Sequence, residues 1–303
     1  MTTAPPSPVP DAAVPSWARP GREEGLDALA FRSGAALALL HPVAAGLRPE
    51  TPGALLRERL ALQAAEACAR LMGRSERAPE MRDEVHLLRP GGRTGPAGAI
   101  FDLWRKAVRV RLDGGFAERL SGLLPAGAAG MLEAASAAPT PVTGASRTLA
   151  AALQAWPREE AAALILAEAA LAHALGWPQA LPLLATGLRR ADLRSDPAAL
   201  ERACHRAVAL SCVGALALAA DLAGRAERLR QVAPRLRAKG AGEAVRLFLT
   251  EDALSPGIAL APVIRGSARP MTDRAARRLC DRLASLGALR ELTGRASFRL
   301  YGL

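Results

Sequence analysis

Thr272-Asp-Arg-Ala-Ala-Arg-Arg-Leu-Cys-Asp-Arg-Leu-Ala-Ser-Leu-Gly287 is the most legible stretch of the chain. Thr272 has N-cap chemistry, Asp273 suits the positive end of a helix dipole, and Gly287 suits the position just past a helix end. Ala275, Ala276, Leu279, Leu283 and Leu286 fall on one face of the predicted helix. Arg274, Arg278 and Arg282 recur every four residues on the other face, with Arg277 beside them. Upstream, residues 241–250 repeat the helical pattern with Ala244, Leu247 and Phe248 inward. Ser255-Pro256 reads as the cap and first residue of another helix, running to Ile264. Residues 266–270 read as a turn. Downstream, 288–292 and 297–301 read as short strands joined by Thr293-Gly-Arg-Ala296. Three helices and a terminal β-hairpin predict a small winged helix-turn-helix over 231–303.

The rest of the chain predicts a mainly α protein. Half of its 303 residues are hydrophobic, only 3 % are aromatic, and Ala is the filler. Ala has the best helix propensity, whereas strands favour β-branched and aromatic residues. Apolar residues recur at helical spacing in 26–40, 53–72, 99–112, 146–156 and 158–175, with shorter helices at 116–124 and 130–137. His41-Pro42 ends the first of these, and 73–98 reads as loop around a short apolar patch at 85–88. Asp196-Pro197 opens a long helix reaching about Leu229. The expected organisation is a disordered Pro/Ala-rich lead over 1–25, then a helical bundle or array over 26–230, then the winged unit. Prolines and threonines at 138–144 suggest a linker and a sub-boundary near 138–145.

Charge sharpens this division. The net charge is +11 and the pI is about 11.0. Residues 225–303 hold 16 basic and 7 acidic side chains, hence +9, and the remainder of the chain is nearly neutral. A basic end points to a polyanion partner. On a recognition helix, Arg274 and Arg278 are the candidate base readers, since Arg can bind guanine through two hydrogen bonds. Thr272 and Arg282 suit phosphate contacts, Arg277 lies beside them, and Arg295 at the hairpin tip suits a wing contact. Asp281 is expected to pair with Arg277, Arg278 or Arg282. The partner implied is double-stranded DNA, and the function a DNA-binding, transcription-regulatory one. The alternative is an interaction adaptor whose winged unit docks a protein. The helix from Pro197 leaves a homodimer open, because operators are often read by two-fold dimers. Any small-molecule effector is undetermined.

No enzyme motif is found. There is no GxxxxGK[ST] phosphate loop and no HExxH. Cys204-His205 and Cys212 point in different directions on one helix, so no metal site is expected. No catalytic residue and no cofactor is expected, and the protein is read as a non-enzyme. Four cysteines without a CxxC pair read as free, buried thiols. No basic region followed by an apolar run marks a secretory signal, and the apolar stretch 207–220 is shorter than a typical span of about 20 residues. The expectation is a cytoplasmic protein with no membrane partner.

Several runs carry a resemblance. Val232-Ala-Pro-Arg-Leu-Arg-Ala-Lys-Gly-Ala-Gly242, Asp273-Arg-Ala-Ala-Arg-Arg-Leu279 and Leu292-Thr-Gly-Arg-Ala-Ser-Phe-Arg-Leu-Tyr-Gly-Leu303 resemble the C-terminal part of a bacterial family known as domain of unknown function 1403. Ala36-Leu-Ala-Leu-Leu-His-Pro42 and His173-Ala-Leu-Gly-Trp-Pro178 are similar to its earlier parts. The resemblance spans nearly the whole chain and implies no activity. The last 50 residues also resemble winged domains appended to Fic-type nucleotidyl transferases and to bacterial regulators. The Fic catalytic motif itself is not matched: His41-Pro-Val-Ala-Ala-Gly-Leu-Arg48 lacks the acid, the Asn and the second Gly.

Overall fold

Alanine-rich helices can approach closely, and the chain uses this throughout. The computed structural model describes residues 14–21, 24–89, 91–135 and 137–303. Its first helices are α1 (Leu26–Ala44), α2 (Gly53–Leu71), α3 (Ala78–His86) and α4 (Pro96–Arg109). Then come the short α5 (Phe116–Ser121) and α6 (Ala128–Ala135), followed by α7 (Pro141–Ala155), α8 (Glu160–Ala174), α9 (Leu184–Gly187) and α10 (Pro197–Val232). α8 is apolar around its circumference except for Glu168 and is buried from Ala161 to Ala172, the pattern of a central core helix. α2 packs against α3 and α4, and α10 packs against α1, α7 and α9. At one crossing the chains nearly touch: a Cβ on Gly187 would lie 2.7 Å from Ala207 Cα. By length and composition, Pro197–Arg235 is long and apolar enough to cross a membrane. In this fold Ala203, Val208, Cys212 and Leu216 of that helix are buried in the core.

Several expectations are corrected. Of the expected linker at 138–144, residues 141–144 are the first turn of α7: Thr140 caps it by accepting from Thr143 N at 3.1 Å, and Pro141 is the first helical residue. Residues 73–98 contain α3, whose start uses Pro79 and a hydrogen bond from Arg77 N to the Glu80 carboxylate. Its inner face is narrow, with only Met81 and His86 buried, so periodicity hides it. α1 continues through Pro42 to Ala44, although Pro42 has no N–H to donate within that last turn. Within the lead expected to be disordered, residues 1–13 and 22–23 lie outside the described residues. Residues 14–21 are packed: Val14 and Ala18 are buried, and Arg32 Nη1 donates to the Trp17 carbonyl at 2.7 Å.

After α10 the chain forms α11 (Ala241–Phe248) and α12 (Asp273–Ser285), then β1 (Arg290–Glu291) and β2 (Tyr301–Gly302). The helix expected from Pro256 to Ile264 is a single five-residue π turn, Pro256–Leu260. Pro262 then follows a cis peptide bond, and Arg265 N donates back to Ala259 O at 2.8 Å. The two strands are antiparallel, with Arg290 opposite Gly302 and Glu291 opposite Tyr301. The expected four-residue turn is instead a loop over 293–299, begun by the Glu291 carboxylate, which accepts from Thr293 N and Gly294 N at 2.8 Å each. Tyr301 also pairs with Leu254 on its other side.

Candidate nucleic-acid interface

The two faces of α12 divide as the sequence divides them. Ala276, Leu279, Cys280 and Leu283 are buried, and Arg274, Arg277, Arg278 and Arg282 are exposed. Thr272 Oγ1 accepts from Ala275 N at 3.2 Å, which fixes the first turn. Asp281 does not pair with the helix arginines. It accepts from the Tyr301 hydroxyl at 2.8 Å, so its charge is turned toward the strand side. Arg277 instead pairs with Asp273 at 2.9 Å, one turn earlier.

Arg274, Arg278 and Arg282 line a concavity of about 580 Å³ together with Thr272, Ala275 and Leu279. The opposite wall is Arg235-Leu-Arg-Ala238, the segment that follows α10. Pro234 turns the chain there, in a 3-10 turn over Ala233–Arg235. Five guanidinium groups therefore face one groove that has no carboxylate in its wall among the described residues. Among the described residues none of the five forms an ion pair. Arg235 and Arg237 are missing from the sequence-based site. Their signal is the Arg-x-Arg-x-Lys run at 235–239, placed where a proline stops a long helix.

A family model described as "Protein of unknown function (DUF1403)" matches residues 8–303. The chain belongs to this family. Comparisons with curated proteins and with solved structures find no match.

In this DUF1403 chain Arg295 stands apart from the groove. Its Nη2 lies 2.7 Å from Asp83 Oδ2 on α3, so the 293–299 loop is held against the bundle. Other arginines facing the bundle are paired as well. Asp252, fully buried, has Arg59 Nε at 2.8 Å and Arg82 Nε at 2.6 Å. Burial alone would raise the Asp252 pKa, but Arg59 and Arg82 outweigh it and hold the carboxyl below its ordinary range. Beside it, burial first and then the Arg105 charge push His86 down to about 3, so this imidazole is neutral at 4.0 Å from Asp252. Arg105 bridges Glu58 at 2.7 Å and Glu251 at 2.5 Å, and Arg109 reaches the same two carboxylates at 2.8 and 2.9 Å. These pairs tie α2, α3 and α4 to the segment after α11. The groove on α12 differs from them in chemistry: it offers positive charge that no carboxylate among the described residues pairs with. Such a site can hold an anion through charge-assisted hydrogen bonds.

Proposed function

We propose that the chain binds double-stranded DNA in a regulatory role, through a C-terminal winged-helix arrangement that uses the five-arginine groove. One observation carries the reading: Arg235, Arg237, Arg274, Arg278 and Arg282 share a concave wall without an acidic partner among the described residues. The order of elements supports it. α11, a short pairing segment at Leu254, the π turn, α12 and a two-stranded ribbon follow the winged-helix sequence. In this reading the exposed face of α12 enters the major groove, about 12 Å wide. Arg274 and Arg278 meet base edges. Arg282, Arg235 and Arg237 meet phosphates on one flank, and Thr272 sits at the helix start, where free amides favour a phosphate. The loop carrying Arg295 contributes less than a free wing would, because Asp83 already holds that guanidinium.

The test is fluorescence anisotropy of the full chain with a labelled duplex between about 50 and 200 mM salt. Binding that weakens linearly on a log–log plot, and that weakens further when Arg235 and Arg237 are both changed to Ala, is the expected result. A chain that leaves the duplex free at the lowest salt overturns the reading.

A further inference from the structure

A second concavity, of about 690 Å³, lies between the bundle and the turn that precedes α12. Its bundle side is the loop between α3 and α4, with Arg89, Arg93 and Thr94, together with Asp102 and Arg105 of α4. Its other side includes Arg265, which follows the π turn. Two of its charged residues are already committed. Arg105 is neutralised by Glu58 and Glu251, and Asp102 is paired with Lys106 at 2.6 Å. Arg89, Arg93 and Arg265 form no ion pair among the described residues and are exposed to the cavity and solvent; Arg265 also feels the charge of Glu251, which Arg105 and Arg109 already engage. The nearby start of α4 is not free to hold an anion: Gly98 N donates to Glu84 Oε2 at 2.7 Å. Recognition there therefore rests on the guanidinium groups and on the Thr94 hydroxyl.

We infer that this cavity is a binding site for a small phosphate monoester, held by Arg89 and Arg93 from the bundle and by Arg265 from the C-terminal unit. Three guanidinium groups outside any ion pair among the described residues suit a phosphate dianion with three acceptor oxygens. The volume falls in the range of small-molecule sites, about 300–1,000 Å³. The ligand bridges the bundle and the turn leading to Thr272, so it clamps two parts of the molecule together. The inference is independent of the DNA reading, because it shares no residue with the α12 groove.

Isothermal titration of the full chain tests it with two probes, inorganic phosphate and ribose 5-phosphate, and with ribose as the control. Expected is saturable binding of ribose 5-phosphate and none of ribose. R93Q/R265Q weakens that binding by about tenfold or more, as loss of charge-assisted bonds would. R274A/R278A leaves it unchanged. Circular dichroism checks that the helices persist, and R89Q serves as the second variant should R93Q/R265Q not fold. Binding of neither phosphate probe at millimolar concentration overturns the inference. So does binding that R93Q/R265Q or R89Q leaves intact, or that R274A/R278A abolishes. A duplex whose affinity falls in R93Q/R265Q, while neither phosphate probe binds, assigns these arginines to nucleic acid and equally overturns it.

Discussion

Arg82 Nε donates a 2.6 Å hydrogen bond to Asp252 Oδ2, joining α3 to a residue 170 positions further along the chain. Arg59 approaches the other carboxylate oxygen, and its Nη2 donates to the carbonyls of Asp252 at 3.2 Å and Leu303 at 2.8 Å. One buried carboxylate thus gathers two helices of the bundle and the end of the terminal strand. Removing its charge leaves two arginines facing each other without a counter-ion. Asp252→Asn is expected to cost about 3–5 kcal/mol, the usual penalty for breaking a buried ion pair from one side. Urea denaturation followed by circular dichroism measures it, and an unchanged midpoint contradicts the role assigned to Asp252.

Glu168 on α8 gives the stability a pH dependence. It is fully buried, accepts from Ala185 N at 3.0 Å, and leaves its other oxygen without a partner. Burial pushes its pKa up to about 8, against the pull of the backbone N–H groups at 183–185. The folded state therefore keeps a proton that the unfolded chain releases near pH 4.5. The stability this proton contributes is complete below about 4.5 and is lost as pH rises to about 8, on the order of a few kcal/mol. His86 acts with the opposite sign: its contribution is present above 6.5 and is lost as pH falls toward 3. Glu168→Gln removes only the first of these. The variant should gain stability relative to the parent chain between pH 5 and 8, read as the difference in urea midpoints. A constant difference across that range refutes the assignment.

The α12 groove makes a quantitative claim about salt. Each phosphate contact adds about 0.9 to the slope of log affinity against log salt. R235A/R237A, which removes two of the assigned phosphate contacts, should lower that slope by about 1.8 for a duplex probe. Arg295→Ala should leave the slope unchanged, because Asp83 already neutralises that side chain. A slope that falls with Arg295→Ala and stays unchanged with the groove variant would place the 293–299 loop, and not the groove, on the nucleic acid.

The contact between α9 and α10 is a tight helix crossing that a single methyl group can probe. In Gly187→Ala the new Cβ would stand 2.7 Å from Ala207 Cβ and 2.8 Å from its carbonyl oxygen. Backbone on one side cannot yield as a flexible side chain does. The expected cost is about 1–3 kcal/mol, read from thermal or urea unfolding. A neutral outcome means that α9 shifts freely on α10.

Local chemistry makes some of this fold legible from the sequence. Asp196-Pro197 and Thr272-Asp273 announce the starts of α10 and α12, because a cap, a proline or an acid each acts within one turn. Thr140-Pro141 carries the same signal, yet among neighbouring prolines it reads as a linker. The helical pattern from Ser255 fails for a local reason: Pro262 cannot donate, and the chain folds back to Ala259. Half of the candidate site is legible, namely the arginine stripe on α12. The other wall, Arg235 and Arg237, is not, since nothing in the sequence says that the end of α10 returns to that helix. Likewise no spacing tells Arg59, Arg82, Arg105 and Arg109, which are spent on buried carboxylates, from the arginines left unpaired.

The four cysteines make the chain its own recorder of how it opens. Burial raises all four thiols, Cys68 and Cys280 to about 12 and Cys204 and Cys212 in the same direction. A thiol reagent needs the thiolate, so none should react while its surroundings stay closed. Cys68 sits on α2, Cys204 and Cys212 on α10, and Cys280 behind the arginine face of α12. Pulse alkylation read by mass spectrometry at each cysteine therefore yields a separate opening rate for the bundle, the long helix and the C-terminal unit. If the Asp252 pairs are the clasp between them, Asp252→Asn should advance Cys280 well ahead of Cys204.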